Sequence, residues 1–164
     1  DEAIKNIPDD PELIYSEVLL LDAYQDQDKL DKLLKKLLEI EPNSPTYLNA
    51  YAYTLALQNR RLDEARQYVE HALEFAPEQA SILDTLGYIT FLQNDFKTSA
   101  LVLEKAYEIS QSVKIGVRYA KALYMQGDLT KFNHVLQQLQ KKHPNDPQLE
   151  QLKSLLLPPQ MKKS

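Results

Sequence analysis

Pro8, Pro42, Pro77 and Pro144 stand at intervals of 34, 35 and 67 residues, the last being two periods with Gln111 where the missing proline would fall. A proline lacks the amide hydrogen and clashes with the preceding turn, so it ends a helix. Each of these follows an apolar helical stretch, as in Leu38-Glu39-Ile40-Glu41-Pro42 and Leu73-Glu74-Phe75-Ala76-Pro77. Helix stops recurring every 34 or so residues are the mark of a helix–turn–helix array.

Helix starts follow the stops. Asp10-Pro11 and Ser44-Pro45 each offer a capping side chain and then a proline at the first helical position. The phase predicts pairs over about 11–25 and 28–41, 45–58 and 62–76, 80–93 and 96–109, and 112–125 and 129–142. A last helix is predicted over about 147–156, before Pro158-Pro159. The fold class expected is all-α: a right-handed solenoid of about four repeats (11–44, 45–79, 80–112, 113–146), a capping helix 147–157 and a tail 158–164. The whole chain reads as a single domain and a piece of a longer protein. Ala3-Ile4 reads as the remnant of an earlier helix, leaving an apolar end open to self-association.

Aligned columns support this phase. Val18, Ala52, Gly87 and Ala120 share a column where helices cross closely, and Ala72 and Ala106 share another with Leu37 and Leu139. Leu34, Val69, Leu103 and Leu136 fill the space between. The outer repeats fit less well. Glu17 sits in the column of Tyr51, Leu86 and Tyr119, Gly116 stands where a large residue is usual, and Phe132 where a small one is.

Residues 45–109 resemble two tetratricopeptide repeats, carried by Leu48 to Ala56, Ala65, Val69, Ala72 and Pro77, and then by Ile82 to Tyr88 and Ala106. Across about 45–125 the chain is also similar to the C-terminal repeats of Gram-negative outer-membrane lipoproteins. Asn49, Tyr53, Thr54, Asp84 and Leu86-Gly87 match those repeats, while Ala52 departs from their Gly and Tyr88 from their Trp. The resemblance implies a protein-interaction module, an adaptor or scaffold that brings substrates to a periplasmic processing protease. The alternatives are a regulatory repeat domain of a larger enzyme, or a pilus or outer-membrane assembly factor. It also implies a periplasmic location, held to the outer membrane by a lipid anchor outside this sequence, with the cytoplasm as the alternative.

Composition limits the chemistry. No Cys is present, which excludes disulfides and thiolate metal sites. No two of His71, His134 and His143 have the i, i+4 spacing of a helical metal site. Gly87, Gly116 and Gly127 are isolated, so no phosphate loop exists, and Gly127 reads as a C-cap. Carboxylate pairs such as Asp9-Asp10 and Asp63-Glu64 stand at helix starts, where they suit the macrodipole. We therefore expect no enzyme, no cofactor and no small-molecule substrate. A net charge of −5 argues against nucleic acid, whose phosphates need neutralising cations. The charge is uneven: residues 113–164 carry nine Lys/Arg against three Asp/Glu, and the preceding 112 residues ten against 21.

In the repeat family, the first helix of each pair lines the concave side. Carried over by column, the expected partner-binding residues are Tyr15, Asn49, Tyr53, Asp84, Tyr88, Phe91, Lys121 and Tyr124, with Leu19, Ala56 and Val117 beside them. Tyrosine suits such a surface, since it joins a large rigid apolar face to a hydrogen-bonding tip. Tyr51 and Tyr119 fall instead in a packing column. Lys114 and Arg118 match two positions of the clamp that holds the terminal carboxylate of heat-shock chaperones, but Asn49, Tyr53 and Thr85 do not complete it.

Overall fold

A computed structural model describes residues 9–157. The expectations placed on Ala3-Ile4 and on the tail 158–164 lie outside the described residues. Among these residues every regular element is an α-helix: α1 Pro11–Leu20, α2 Gln27–Ile40, α3 Pro45–Leu57, α4 Leu62–Phe75, α5 Ala80–Leu92, α6 Phe96–Ser110, α7 Val113–Gln126, α8 Leu129–Lys142 and α9 Gln148–Leu155. The chain divides into two compact units between Thr85 and Leu86, within α5.

Local chemistry sets the helix ends. Asp10 accepts hydrogen bonds from the amides of Glu12 and Leu13, with Pro11 at the first position. Ser44 accepts from Tyr47, with Pro45 behind it. Asp95 and Asp128 cap α6 and α8 through the amides of Thr98 and Lys131. Gly127 closes α7 at φ +89°, a conformation that costs an L side chain strain. Gln111, in the place of the missing proline, adopts φ 55° and ends α6, its side chain donating to the Tyr107 carbonyl at 3.2 Å.

The first unit packs α1 on α2, α2 on α3 and α3 on α4. Its core holds Ile14, Leu33, Leu34, Leu37, Leu55, Val69 and Ala72, all fully buried. α1 stops at Leu20 rather than near residue 25. The Asp22 carboxylate takes the amides of Tyr24 and Gln25, while Asp26 takes that of Asp22, so side chains replace the helical bonds there. Glu17 does not pack in its column; it forms an ion pair with Lys29 at 2.6 Å. Leu13, Leu19 and Leu20 on α1 are exposed.

The second unit packs α6 on α7, α7 on α8, and α9 on both α7 and α8. Gly87 and Ala106 are buried, as the columns require. The two misfits of the fourth pair have physical partners. A Cβ on Gly116 would lie 2.7 Å from Leu139 Cδ2 and 2.9 Å from Tyr107 Cε2, so neighbouring side chains fill the place of the usual large residue. Phe132 is fully buried, its ring 5.5 Å from that of Tyr124. On α9, Leu149 and Leu152 dock while Gln148 and Gln151 face water. Leu156 lies past the helix end and is exposed.

Candidate polypeptide-binding clefts

The first unit contains a cleft of about 410 Å³ walled by α1, α3 and the start of α5. Tyr15, Asn49 and Tyr53 all line it, with Leu19 and Thr54. Tyr15 leans on Tyr47, ring centres 5.3 Å apart. Asn49 is half-buried, and its side-chain oxygen is fully buried with no hydrogen-bond partner among the described residues. A buried acceptor left unpaired costs about 1–3 kcal/mol, so this one calls for an explanation.

The second unit has a smaller pocket of about 140 Å³, lined by Gly87, Tyr88, Phe91, Leu103, Arg118 and Lys121. The Arg118 guanidinium lies 4.6 Å from the Tyr88 ring centre, in cation–π range. Phe91 meets Phe96 edge-on at 5.2 Å. Three of the expected residues (Tyr88, Phe91 and Lys121) therefore share one pocket.

The remaining expected residues sit elsewhere. The Tyr124 hydroxyl donates to the Leu155 carbonyl of α9 at 3.3 Å, so the C-terminal helix engages it. Asp84 is 8% exposed. Ala56 and Val117, expected beside these residues, are buried in the core. Tyr51 and Tyr119 are buried packing residues whose hydroxyls donate to Asp31 and Glu104.

Sequence reasoning missed a polar cluster joining α2, α3 and α4. Arg61, at φ 51° in the turn before α4, donates to Asp31 at 2.8 Å and to both oxygens of Glu64 at 2.7 Å. It also reaches the Tyr51 hydroxyl at 3.0 Å, and Tyr68 donates to Glu64 at 2.6 Å. The Tyr51 and Tyr68 rings stack, centres 4.9 Å apart. Burial alone would raise the Asp31 pKa, but hydrogen bonds from Tyr51, Lys35 and Arg61 outweigh it and bring it down to about 2. The Arg61 hydrogen bonds likewise lower Glu64 against its burial. The one local signal was an Arg three residues before a Glu at a helix start.

Among the described residues no cluster of His, Cys, Asp or Glu could hold a metal ion. No helix among them is long and apolar enough to cross a membrane.

No family model matches the chain. A TPR repeat-containing protein of Pseudomonas aeruginosa is 31% identical over 107 residues, 65% of this chain and 18% of that protein. Protein O-mannosyl-transferase Tmtc2 of Drosophila melanogaster is 31% identical over 97 residues, 57% of this chain and 10% of its own length. The chain thus spans less than a fifth of either relative. Among solved structures, YrrB, described as a TPR protein with an unusual peptide-binding site, superposes with a TM-score of 0.75 at 15% identity, covering 99% of this chain and 84% of that one. This is the tetratricopeptide-repeat fold. A second structure, PilW, a type IV pilus biogenesis factor, matches with a TM-score of 0.58 at 14% identity, over 93% of this chain and 86% of that one. At such identities the tetratricopeptide likeness concerns the fold alone.

Proposed function

We propose that this chain is a non-catalytic interaction module that holds a segment of another polypeptide in the cleft of Tyr15, Asn49 and Tyr53. The carrying observation is that Tyr15, Asn49 and Tyr53 line one cleft, with the buried Asn49 side-chain oxygen left without a partner among the described residues. An amide side chain offers an acceptor and two donors, which matches the peptide group of an extended chain. The flanking tyrosines supply apolar faces of low conformational entropy, the composition typical of binding hot spots.

The wider role we favour is assembly of an envelope structure such as a pilus or the outer membrane. It is supported by the fold shared with a pilus biogenesis factor. The protease-adaptor role rests on the sequence resemblance over 45–125 alone. The sequence resemblance over 45–125 supports a parent protein in the periplasm, held to the outer membrane, over the cytoplasmic alternative.

A photo-crosslinking residue in place of Tyr53 tests the binding reading. In living cells it is expected to trap one polypeptide. The same residue in place of Glu70, whose side chain is half exposed on α4, is expected to trap none. Equal trapping at both positions, or none at Tyr53, rejects the cleft.

A further inference from the structure

The pocket beside Gly87 has a composition that selects what can enter it. Gly87 contributes no side chain, and Leu103 lies over its backbone, so close that a Cβ on residue 87 would fall 2.3 Å from Leu103 Cγ. Phe91 and the Tyr88 ring complete an apolar lining, and Arg118 lies across that ring. An apolar cavity of about 150 Å³ holds a group the size of benzene. At about 140 Å³ this pocket matches the size of one aliphatic side chain.

The charge on the lining is positive. Arg118 and Lys121 are its ionised residues. They lie on α7, whose sequence Val113–Gln126 carries Lys114, Arg118 and Lys121 and no Asp or Glu. Lys29, Lys35 and Lys153 are each matched with a carboxylate. Lys121 differs: among the described residues it has no ion-pair or hydrogen-bond partner. A half-buried ammonium beside an apolar hole favours a carboxylate one residue away from the group that fills the hole.

We propose that this pocket is a specificity subsite that takes one leucine-sized side chain of a polypeptide, with Lys121 selecting an acidic residue next to it. The partner is then an acidic, apolar segment. This deepens the reading of the chain as a polypeptide-binding module and rests on it.

The test uses the blocked tetrapeptides Ser-Leu-Glu-Ser, Ser-Leu-Lys-Ser and Ser-Ala-Glu-Ser, titrated to millimolar concentration against the isotope-labelled chain. Amide shifts of Gly87, Tyr88 and Lys121 are followed together with those of Asn49 and Tyr53. We expect the leucine–glutamate peptide to shift the first group and to bind about tenfold more tightly than the alanine peptide. It should bind roughly fivefold more tightly than the lysine peptide. Lys121→Glu, with folding checked by helicity, should reverse the order of the glutamate and lysine peptides. Equal affinity for the glutamate and lysine peptides, or no shift at Gly87 and Tyr88, overturns the proposal. If shifts appear at Asn49 and Tyr53 alone, the subsite falls and the cleft reading stands. If the subsite binds while Asn49 and Tyr53 variants keep full partner affinity, the cleft reading falls instead.

Discussion

The Leu103 side chain occupies the space in which residue 87 would carry a Cβ: its Cγ lies 2.3 Å from that point. The same crossing is tied by a buried hydrogen bond, Ser99 Oγ donating to the Gly87 carbonyl at 2.7 Å. Contact this close leaves no room for even a methyl group unless the Leu103 side chain shifts.

Gly87→Ala is therefore expected to destabilise the chain by about 1–3 kcal/mol through overpacking, despite the better helix propensity of alanine. Leu103→Ala alone should cost about 2–5 kcal/mol by opening a cavity. The double variant should be more stable than the two losses added together, since the smaller residue at 103 receives the new methyl. Urea melts of the four proteins measure this coupling, and simple additivity would show that the two sites do not meet.

Acid should weaken the first unit at the Asp31 cluster. The Asp31 pKa is lowered from 3.8 to about 2 in the folded chain. Its contribution is complete above the unfolded value and is lost as the pH falls through the folded one, so the window lies between about pH 4 and pH 2. Glu64, lowered by Arg61, adds to the loss in the same direction. The amount from Asp31 is about 2 kcal/mol. In Asp31→Asn the stability at neutral pH should be lower and its decline below pH 4 shallower. Denaturant melts from pH 7 to pH 2 read both, and parallel pH profiles would remove Asp31 from the account.

The C-terminal helix should stabilise the second unit. Leu149 and Leu152 are 1% and 0% exposed where α9 meets α7 and α8. Leu152→Ala is expected to cost about 2–5 kcal/mol, and Leu156→Ala, at an exposed position, less than about 0.5 kcal/mol. Thermal melts separate the two, and equal losses would contradict the docking described here.

Features set by neighbouring residues were legible in the sequence. The caps of Asp10-Pro11 and Ser44-Pro45 and the turn at Gly127 depend on groups within four residues, and they occur as expected. The buried columns of Leu34, Val69, Leu103 and Leu136 follow from the repeat period. The early end of α1 was hidden because aspartate competes for backbone amides only once the chain turns at Asp22. The Arg61–Asp31 pair spans 30 positions, and Tyr124 reaches a carbonyl 31 positions away. No periodicity announces such contacts. Of the expected site residues, Tyr15, Asn49 and Tyr53 share one cleft and Tyr88, Phe91 and Lys121 another, because their columns repeat on successive helices.

Asn49 lines the cleft with its side-chain oxygen buried and unpaired, and a bound polypeptide is expected to turn that amide into a hydrogen bond. Asn49→Leu keeps about the same size and removes the unpaired acceptor. The decisive measurement takes the melting temperature of this variant together with its affinity for the polypeptide trapped at Tyr53. The variant is expected to be more stable than the parent by about 1 kcal/mol and to bind the partner about tenfold or more weakly. A variant that binds as tightly as the parent, whatever its melting temperature, would contradict this role of Asn49.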